Sequence, residues 1–317
     1  SFGIGIINGG SYKDYDLKYI GLESRENFRK LKIFYETATE LNMTKVAKKL
    51  YISQPSISQA IHEIEEELDV KLFDRIGKKL FLTQEGEVYL SYVRRILNLY
   101  EEGLKTVSDM SKNEKGKIKI GASTTIGIYI LPDIIKGFLQ EHKGIEVSLS
   151  VANTEKIEKM ILENEIDFAY IEGRCSYEEI IKEEMWEDEL IFICSLSHSW
   201  NRKENLEDGD IAKEKLIMRE GGSGTREVVE SFFENNNIEY NVFMELGNTE
   251  AIKKSVEANL GVSCLSKRSV IEKIENGSLS GFRIKDKKIK RMLSLIYHKD
   301  KFLSNNIKMF IDYSRKF

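Results

Sequence analysis

Apolar residues recur at helical spacing from Phe28 to Leu41, which predicts a first helix. The pattern then breaks, and Thr44 is a suitable N-cap for a short second helix that ends near Leu50. Ser53 can cap a third helix, in which Pro55 occupies the first turn, where no backbone N–H is needed. Three short helices in succession are therefore predicted for this part of the chain.

The third helix has two different sides. One side is an apolar stripe that faces a core and consists of Ile57, Ala60, Ile61, Ile64 and Leu68. The other side carries short uncharged donors and acceptors, namely Gln54, Ser56, Ser58, Gln59 and His62. A helix that only fills a core would more often carry Lys and Glu there, so this side indicates a surface that reads another molecule. The acidic run 65–67 is interpreted as a solvated helix end.

Two short apolar runs follow, at 72–73 and 80–82, and they are typical of paired strands. The turn between them is basic, with Arg75, Gly77, Lys78 and Lys79. Three helices and a basic hairpin predict a winged helix-turn-helix over residues 25–83. In such a domain the third helix lies in the major groove and the wing reaches phosphate or the minor groove. For His62, a base or phosphate contact and simple solvation both remain open.

A longer helix is predicted over 84–115. Its apolar positions alternate at spacings of three and four residues over about three heptads: Leu90, Val93, Leu97, Tyr100, Leu104 and Val107. This spacing favours a homodimer contact between two such helices over 84–112. The alternative is a helix packed on its own domain. Residues 1–24 show no interpretable pattern and are left as an N-terminal extension.

Strand-like and helix-like segments alternate from residue 116 onwards. The order βαβαβ predicts parallel sheets with right-handed crossovers, and the series starts again near Leu206. The predicted fold is an α/β domain of two doubly wound lobes with a hinged cleft. Lobe I covers about 116–195 and 291–317, and lobe II covers about 196–290. One continuous helix is predicted over 124–142.

Two loops join a strand to a helix through small hydroxyl residues. They are GASTTIG, from Gly121 to Gly127, and REGGSGTRE, from Arg219 to Glu227. Each places backbone N–H groups and a positive helix end at the carboxyl edge of a parallel sheet, which suits an anion. Arg219 and Arg226 can add charge-assisted hydrogen bonds. The alternatives are ordinary N-capping by Ser223 or Thr225 and arginines paired with nearby carboxylates.

Composition narrows the function classes. A net charge of -4 over 317 residues excludes a uniformly basic nucleic-acid coat but allows a small basic surface. No metal site or catalytic constellation is recognisable, because the four histidines are isolated and no GxSxG is present. We therefore expect no enzyme, metal or cofactor. The sequence contains neither an apolar run of about 18 residues nor a secretory signal, so a cytoplasmic protein without a membrane partner is expected.

The three cysteines are Cys175, Cys194 and Cys264, and they form no CxxC. A zinc knuckle or disulfide scaffold is not indicated, and buried free thiols in a reducing compartment are expected. Redox sensing through Cys194 or Cys264 is the alternative.

Residues 34–90 closely resemble the DNA-binding head of LysR-type transcriptional regulators. The shared features are Ala47, SQPSISQAI, Leu68, KLFDR at 71–75 and LTQEG at 82–86. The remainder is similar to the effector domain of that family, which has the two-lobed architecture of periplasmic binding proteins. The resemblance implies a homodimer, usually assembled as a tetramer, that binds double-stranded promoter DNA and a small molecule in the interlobe cleft. RNA polymerase is a further candidate partner.

The resemblance also assigns roles to residues. It puts Ser53, Gln54, Pro55, Ser56, Ser58 and Gln59 in the major groove, and Arg75, Lys78 and Lys79 on the DNA backbone. Many members have Arg or Lys where this chain has Gln59. The change removes one charge and shifts the expected contact from phosphate or guanine towards adenine.

The loop REGGSGTR looks most like the branch that regulates sulfur assimilation and carbon fixation. That likeness implies a small oxyanion or phosphorylated metabolite as effector. Its expected ligands are Ser123, Thr124 and Thr125 from one lobe, and Ser223, Gly224, Thr225 and Thr249 from the other. A two-lobed solute-binding protein and an enzyme that uses the cleft are the rival functions.

Overall fold

A computed structural model describes residues 17–77, 79–110 and 116–317, with side chains for 26–77, 79–104, 107 and 116–317. Lys78 and most of the N-terminal extension lie outside the described residues. The chain divides into two compact units, residues 1–97 and 98–317.

The first unit is a three-helix cluster with a two-stranded hairpin. Its elements are α1 (Leu17–Glu40), α2 (Met43–Leu50), α3 (Gln54–Leu68), β1 (Phe73–Ile76), β2 (Lys79–Leu82) and the start of α4 (Gln84–Met110). The apolar stripe of α3 faces the core, which is closed by Phe34, Val46 and Leu72. Leu68 was wrongly included in that stripe, because it is 42% exposed at the last turn of the helix. Asn42, and not Thr44, caps α2, since its Oδ1 accepts the N–H of Lys45 at 3.0 Å.

The apolar seam predicted for α4 divides into two faces. Val93 is fully buried, and Leu90 and Leu97 pack beside it in the core of the first unit. The prediction that Val93 belongs to a dimer seam is wrong, because its own domain covers it, whereas Leu90 and Leu97 are only partly covered there. An adjacent face of α4 is exposed, and this exposed stripe consists of Val88, Tyr92, Ile96, Leu99, Tyr100, Leu104 and Val107.

The second unit has two α/β lobes. Lobe I contains β3 (Gly116–Ser123), α5 (Thr124–Tyr129), α6 (Leu131–Glu141), β4 (Ile145–Ala152), α7 (Thr154–Leu162), β5 (Phe168–Glu172) and the terminal helix α12 (Asn305–Ser314). Strand β3 is parallel to both β4 and β5. The single helix expected over 124–142 is two helices that break at Ile130, because Pro132 has no N–H to continue the ladder.

Lobe II repeats the arrangement on a smaller scale. Its elements are α8 (Asp208–Ile211), β7 (Lys215–Arg219), α9 (Gly224–Asn235), β8 (Asn241–Leu246), α10 (Thr249–Glu257), β9 (Ser263–Ser266), α11 (Lys267–Glu275) and β10 (Ser280–Phe282), with a 3₁₀ turn at Ser199–Arg202. Strands β7 and β8 are parallel.

Two long strands run through both lobes. They are β6 (Ile180–Cys194) and β11 (Ile289–His298), which pair antiparallel along the whole of β11. In lobe I, β11 continues the sheet to β5, and in lobe II, β6 pairs with β9 and β10. The two crossings between the lobes thus form one continuous two-stranded ladder.

Candidate functional site

The start of α3 has the geometry expected for a reading helix. The Ser53 hydroxyl accepts the N–H of Ser56 at 3.2 Å and caps the helix, and Pro55 occupies the first turn. Gln54, Gln59 and His62 are exposed, while Ser56 and Ser58 are half-buried. The predicted polar side of the helix is therefore accessible along its N-terminal half.

The wing, which is the hairpin of β1 and β2, lies near the start of α3. Nη2 of Arg75 lies 3.4 Å from Sδ of Met43, and Nε2 of Gln54 lies 4.0 Å from the same sulfur. A wing residue and a helix residue thus converge on one side chain at the start of α2. Lys79 is exposed at the first position of β2.

Glu65 is not part of a solvated helix end, as the acidic run suggested. Its side chain is buried, and Oε1 accepts the N–H of Leu72 at 2.9 Å and of Phe73 at 3.3 Å. Burial opposes ionisation, but Lys71 at 2.6 Å and the two amides together lower the pKa of Glu65. The carboxylate fixes the chain where it enters the wing, a role that its position beside two exposed glutamates concealed.

Two other glutamates hold predicted reading residues from one turn further along α3. Nε2 of Gln59 donates to Oε1 of Glu63 at 3.0 Å. Nε2 of His62 lies 3.2 Å from Oε1 of Glu66. These i,i+4 pairs restrict Gln59, which the resemblance places in the major groove, and His62, for which a DNA contact and solvation were both left open.

In the second unit, the two predicted helix-start loops meet between the lobes. Arg219 ends β7 and is buried, with Nη1 3.2 Å from Oγ1 of Thr249 and Nη2 3.3 Å from Oγ1 of Thr124. It therefore joins a lobe II helix start to a lobe I helix start. Its Nε and Nη2 also donate to the two carboxylate oxygens of Glu220, at 2.7 and 2.9 Å.

A second arginine, which the sequence reasoning missed, joins the other pair of threonines. Arg291 donates to Oγ1 of Thr225 at 2.9 Å and lies 3.4 Å from Oγ1 of Thr125. It is neutralised by Asp188 at 2.7 Å and Glu172 at 2.9 Å. The signal in the sequence is a single arginine in the apolar strand RMLSLIYH, but nothing local identifies its partners.

Two predicted hydroxyls are buried and have no hydrogen-bond partner among the described residues. They are Oγ of Ser123 and Oγ of Ser223, which precede α5 and α9. Gly224 lies against β5, where an added Cβ would stand 2.0 Å from the carbonyl oxygen of Glu172. Only glycine allows this approach, so the lobe II loop sits directly on lobe I.

Arg226 does not point into the group formed by Arg219 and Arg291. It pairs with Glu230 at 2.8 Å and with Glu245. Together these side chains line an adjacent cavity of about 660 Å³, which Gly222, Ser223 and Glu158 also line. Burial raises the pKa of Glu158 there.

The cysteines are free. Cys194 and Cys264 are buried as expected, whereas the expectation is wrong for Cys175, which is only half-buried. Burial raises the pKa of Cys194 to about 12 and raises that of Cys264 further. Thiols held in the protonated form react slowly, which disfavours redox sensing at these positions. Among the described residues no group of three or more His, Cys, Asp or Glu could hold a metal ion, and no helix there meets the length and apolarity of a membrane span.

Comparison with known families gives matches over both units. A model of the LysR substrate binding domain matches residues 111–317. A model of the bacterial regulatory helix-turn-helix protein, lysR family, matches residues 28–87.

Individual relatives agree with these matches. The chain is 35% identical over 290 residues to the "Uncharacterized HTH-type transcriptional regulator YeiE" of Escherichia coli (strain K12), covering 90% of this chain and 96% of the relative. It is 33% identical to the "Probable RuBisCO transcriptional regulator" of Cyanophora paradoxa, covering 90% of each chain. The structure of the Synechocystis PCC6803 CcmR regulatory domain in complex with 2-PG is similar with a TM-score of 0.59 and 30% identity, covering 64% of this chain and 97% of that chain.

Proposed function

Because the chain belongs to the LysR family of bacterial transcriptional regulators, we propose that it reads promoter DNA with α3 and the wing and responds to a small anion in the interlobe cleft. The proposed major-groove residues are Ser53, Gln54, Pro55, Ser56, Ser58, Gln59 and His62, and the proposed backbone contacts are Arg75, Lys78 and Lys79. The observation that supports this assignment best is the row of uncharged donors and acceptors, exposed or half-buried, on a helix capped by Ser53.

A footprinting assay tests the DNA assignment. The purified full chain is incubated with duplex from the region upstream of its own gene at modest ionic strength, with unrelated duplex as the control. Protection of two separated half-sites is the expected result. No protected nucleotides on the upstream duplex would remove the DNA-binding role and favour the solute-binding alternative.

The effector proposal rests on the meeting of two helix starts. Thr124 and Thr249, from opposite lobes, share one buried guanidinium. Ser123 and Ser223 add buried hydroxyls that have no partner among the described residues. These groups are donors, and a small oxyanion or phosphorylated metabolite is the ligand class that they suit. The 2-PG bound in the structure of the CcmR regulatory domain is consistent with that ligand class.

Binding of an anion at this position would act through the lobes. Thr125 and Thr225 also belong to different lobes and contact the same arginine, so a ligand among these loops has a different affinity for each lobe arrangement. Only that difference can shift the equilibrium between arrangements. We propose that the shift alters promoter binding and hence transcription.

Isothermal titration calorimetry tests the effector site. Sulfite, sulfate, thiosulfate, 2-PG and phosphorylated sugars are titrated into the wild type, and the best ligand into Thr125→Ala and Ser223→Ala. We expect weaker binding by both variants, with Ser255→Ala as a control outside the cleft. Unchanged affinity in both would show that the site is misplaced. Conversion of the ligand during long incubation would favour a cleft enzyme instead.

Assembly and compartment complete the proposal. The exposed stripe of α4 is an apolar surface of helical spacing, and a second copy of the chain is the occupant that we propose for it. We propose a homodimer through α4 that assembles further into a tetramer, and the exposed stripe and the family membership support this proposal. The proposed compartment is the cytoplasm, where promoter DNA and RNA polymerase are available as partners.

A further inference from the structure

The carboxylate of Glu63 is held from two sides. Nζ of Lys30, on α1, lies 2.7 Å from Oε2. Nε2 of Gln59, one turn earlier on α3, donates to Oε1 at 3.0 Å. Both contacts lie within the first unit, and Gln59 is exposed while Glu63 is half-buried. The three side chains form a chain that runs from α1 to the polar side of α3.

This arrangement determines which way the Gln59 amide faces. A carboxylate only accepts hydrogen bonds, so the NH₂ group of Gln59 must face Glu63 and its carbonyl oxygen must face away. One N–H is used by the carboxylate. Among the described residues the second N–H and Oε1 have no further partner, so they present a donor and an acceptor in a fixed order.

A fixed donor and acceptor distinguish the two purines. In the major groove adenine offers the N7 acceptor and the N6 donor, whereas guanine offers two acceptors, N7 and O6. Oε1 of a fixed amide can accept from adenine N6 but meets an acceptor on guanine. An amide that is free to rotate can turn its NH₂ group to either guanine acceptor.

Lys30 compensates the negative charge of the Glu63 carboxylate on the DNA-facing side of α3. A bare negative charge on a helix in the groove would repel the phosphates. The hydrogen bond to Glu63 raises the pKa of Lys30, and the same bond lowers the pKa of Glu63. Both groups therefore stay ionised, and the pair has no net charge.

We propose that Glu63 is a specificity-determining residue that fixes the amide of Gln59 in the orientation that selects adenine over guanine. The inference rests on the proposed DNA-binding function and adds the base class read at one position of each half-site. A carboxylate that only stabilised the helix would leave the base preference unchanged when replaced.

The test is a selection from a randomised duplex library with the full chain, followed by anisotropy titrations on adenine and guanine versions of the selected site. For the wild type we expect a preference for adenine of roughly 5- to 100-fold. In Glu63→Gln the new amide can accept or donate, so Gln59 is free to turn and the preference should fall to within about threefold. The affinity of Glu63→Gln for the adenine site should change by a smaller factor than the ratio of its affinities for the adenine and guanine sites.

Glu66→Gln is the matched control. It makes the same charge change one turn further along α3, beside His62, and should leave the adenine preference intact. Gln59→Ala should abolish the preference and make Glu63→Gln silent in the double variant. Lys30→Gln should weaken binding to all sequences while keeping the preference, because it leaves the carboxylate uncompensated. Circular dichroism checks that each variant is folded.

The outcomes separate the inference from the function on which it rests. A wild type that enriches no sequence overturns the proposed DNA binding, and the role of Glu63 with it. A wild type that enriches a site without an adenine preference dependent on Gln59 overturns the role of Glu63 alone. The same holds if Glu63→Gln keeps the preference, or if Glu63→Gln and Glu66→Gln raise affinity for all sites alike. If Glu63→Gln is unfolded, Glu63→Ala takes its place: loss of the preference supports the inference, and its retention overturns it.

Discussion

Arg291 of β11 and Asp188 of β6 are directly opposite each other in the antiparallel ladder, and both side chains are buried. Nε and Nη2 of the arginine lie 2.8 and 2.7 Å from Oδ2 of the aspartate. Oδ1 of Asp188 accepts from the hydroxyl of Ser266 at 2.9 Å, so both oxygens are engaged. The pair stands at the point where the two long strands pass from one lobe to the other.

Arg291→Met should destabilise the effector domain by about 3–5 kcal/mol, because it leaves Asp188 and Glu172 as buried, uncompensated charges. Chemical denaturation, followed by tryptophan fluorescence, measures the change in the free energy of unfolding. Arg283→Met is the control, since Arg283 pairs with Glu189 at the surface and should cost about 1 kcal/mol or less. Equal losses in the two variants would mean that the buried pair has no special role.

Glu220→Gln should strengthen anion binding. In the present arrangement the carboxylate of Glu220 occupies two donors of Arg219 and competes with any anion for them. Removing that charge should raise the affinity for the anion several-fold. Each 1.4 kcal/mol by which the competing interaction is weakened corresponds to about a tenfold gain in affinity. Calorimetry with the best anion from the titration series measures it. Weaker binding would indicate that Glu220 orients Arg219 and does not compete.

Glu65→Ala should destabilise the winged unit at neutral pH by about 1–3 kcal/mol, because two buried N–H groups lose their acceptor. The pKa of Glu65 is lowered in the folded state, so its contribution is present above the unfolded-state pKa. It should be lost as the pH falls through the folded-state pKa. Thermal melts from neutral to acidic pH should therefore show the difference between wild type and variant shrinking.

Glu66→Ala serves as the control for that series, because Glu66 is exposed and should change stability by less than about 0.5 kcal/mol at every pH. A wild-type advantage that persisted in acid would contradict the assignment.

Lys79→Ala should weaken binding to all DNA sequences alike. One phosphate contact contributes about 0.9 to the slope of log affinity against log salt, so the slope should flatten by about that amount. Anisotropy titrations at several salt concentrations measure it, with Lys308→Ala on α12 as an exposed control in the second unit. An altered base preference without a change of slope would place Lys79 on a base edge.

Leu99→Glu should reduce self-association, because it buries a charge in the proposed contact between two α4 helices. Native mass spectrometry and sedimentation velocity would show a shift towards the monomer. Phe302→Glu, at an exposed apolar residue outside α4, should leave the assembly unchanged. If only the control dissociates the protein, the exposed stripe of α4 is not the interface.

The sequence predicted those parts of the fold and site that depend on local spacing. The cap at Ser53 and the strands around the basic turn follow from residues only a few positions apart. The helix-start loops were located in the same way.

Contacts between distant residues could not be predicted from one sequence. Arg291 meets Thr225 and Thr125 only through the fold, at separations of 66 and 166 residues. The spacing of Val93 fits a dimer seam, but the residue is buried in the core of its own domain. Heptad periodicity shows that a helix face is apolar and does not show which neighbour covers it. The misplaced cap at Thr44 and the buried Glu65 show the same limit at shorter range.

The shared ladder of β6 and β11 restricts how the second unit can move. Ten residues of β11 are paired to β6, and the register of this pairing shifts between Leu293 and Ser294. Any change in the angle between the lobes must therefore twist or bend this pair of hydrogen-bonded strands, and the pair resists such a deformation. We therefore expect only small changes in the angle between the lobes, and a ligand at the proposed cleft site would shift the angle that the lobes prefer.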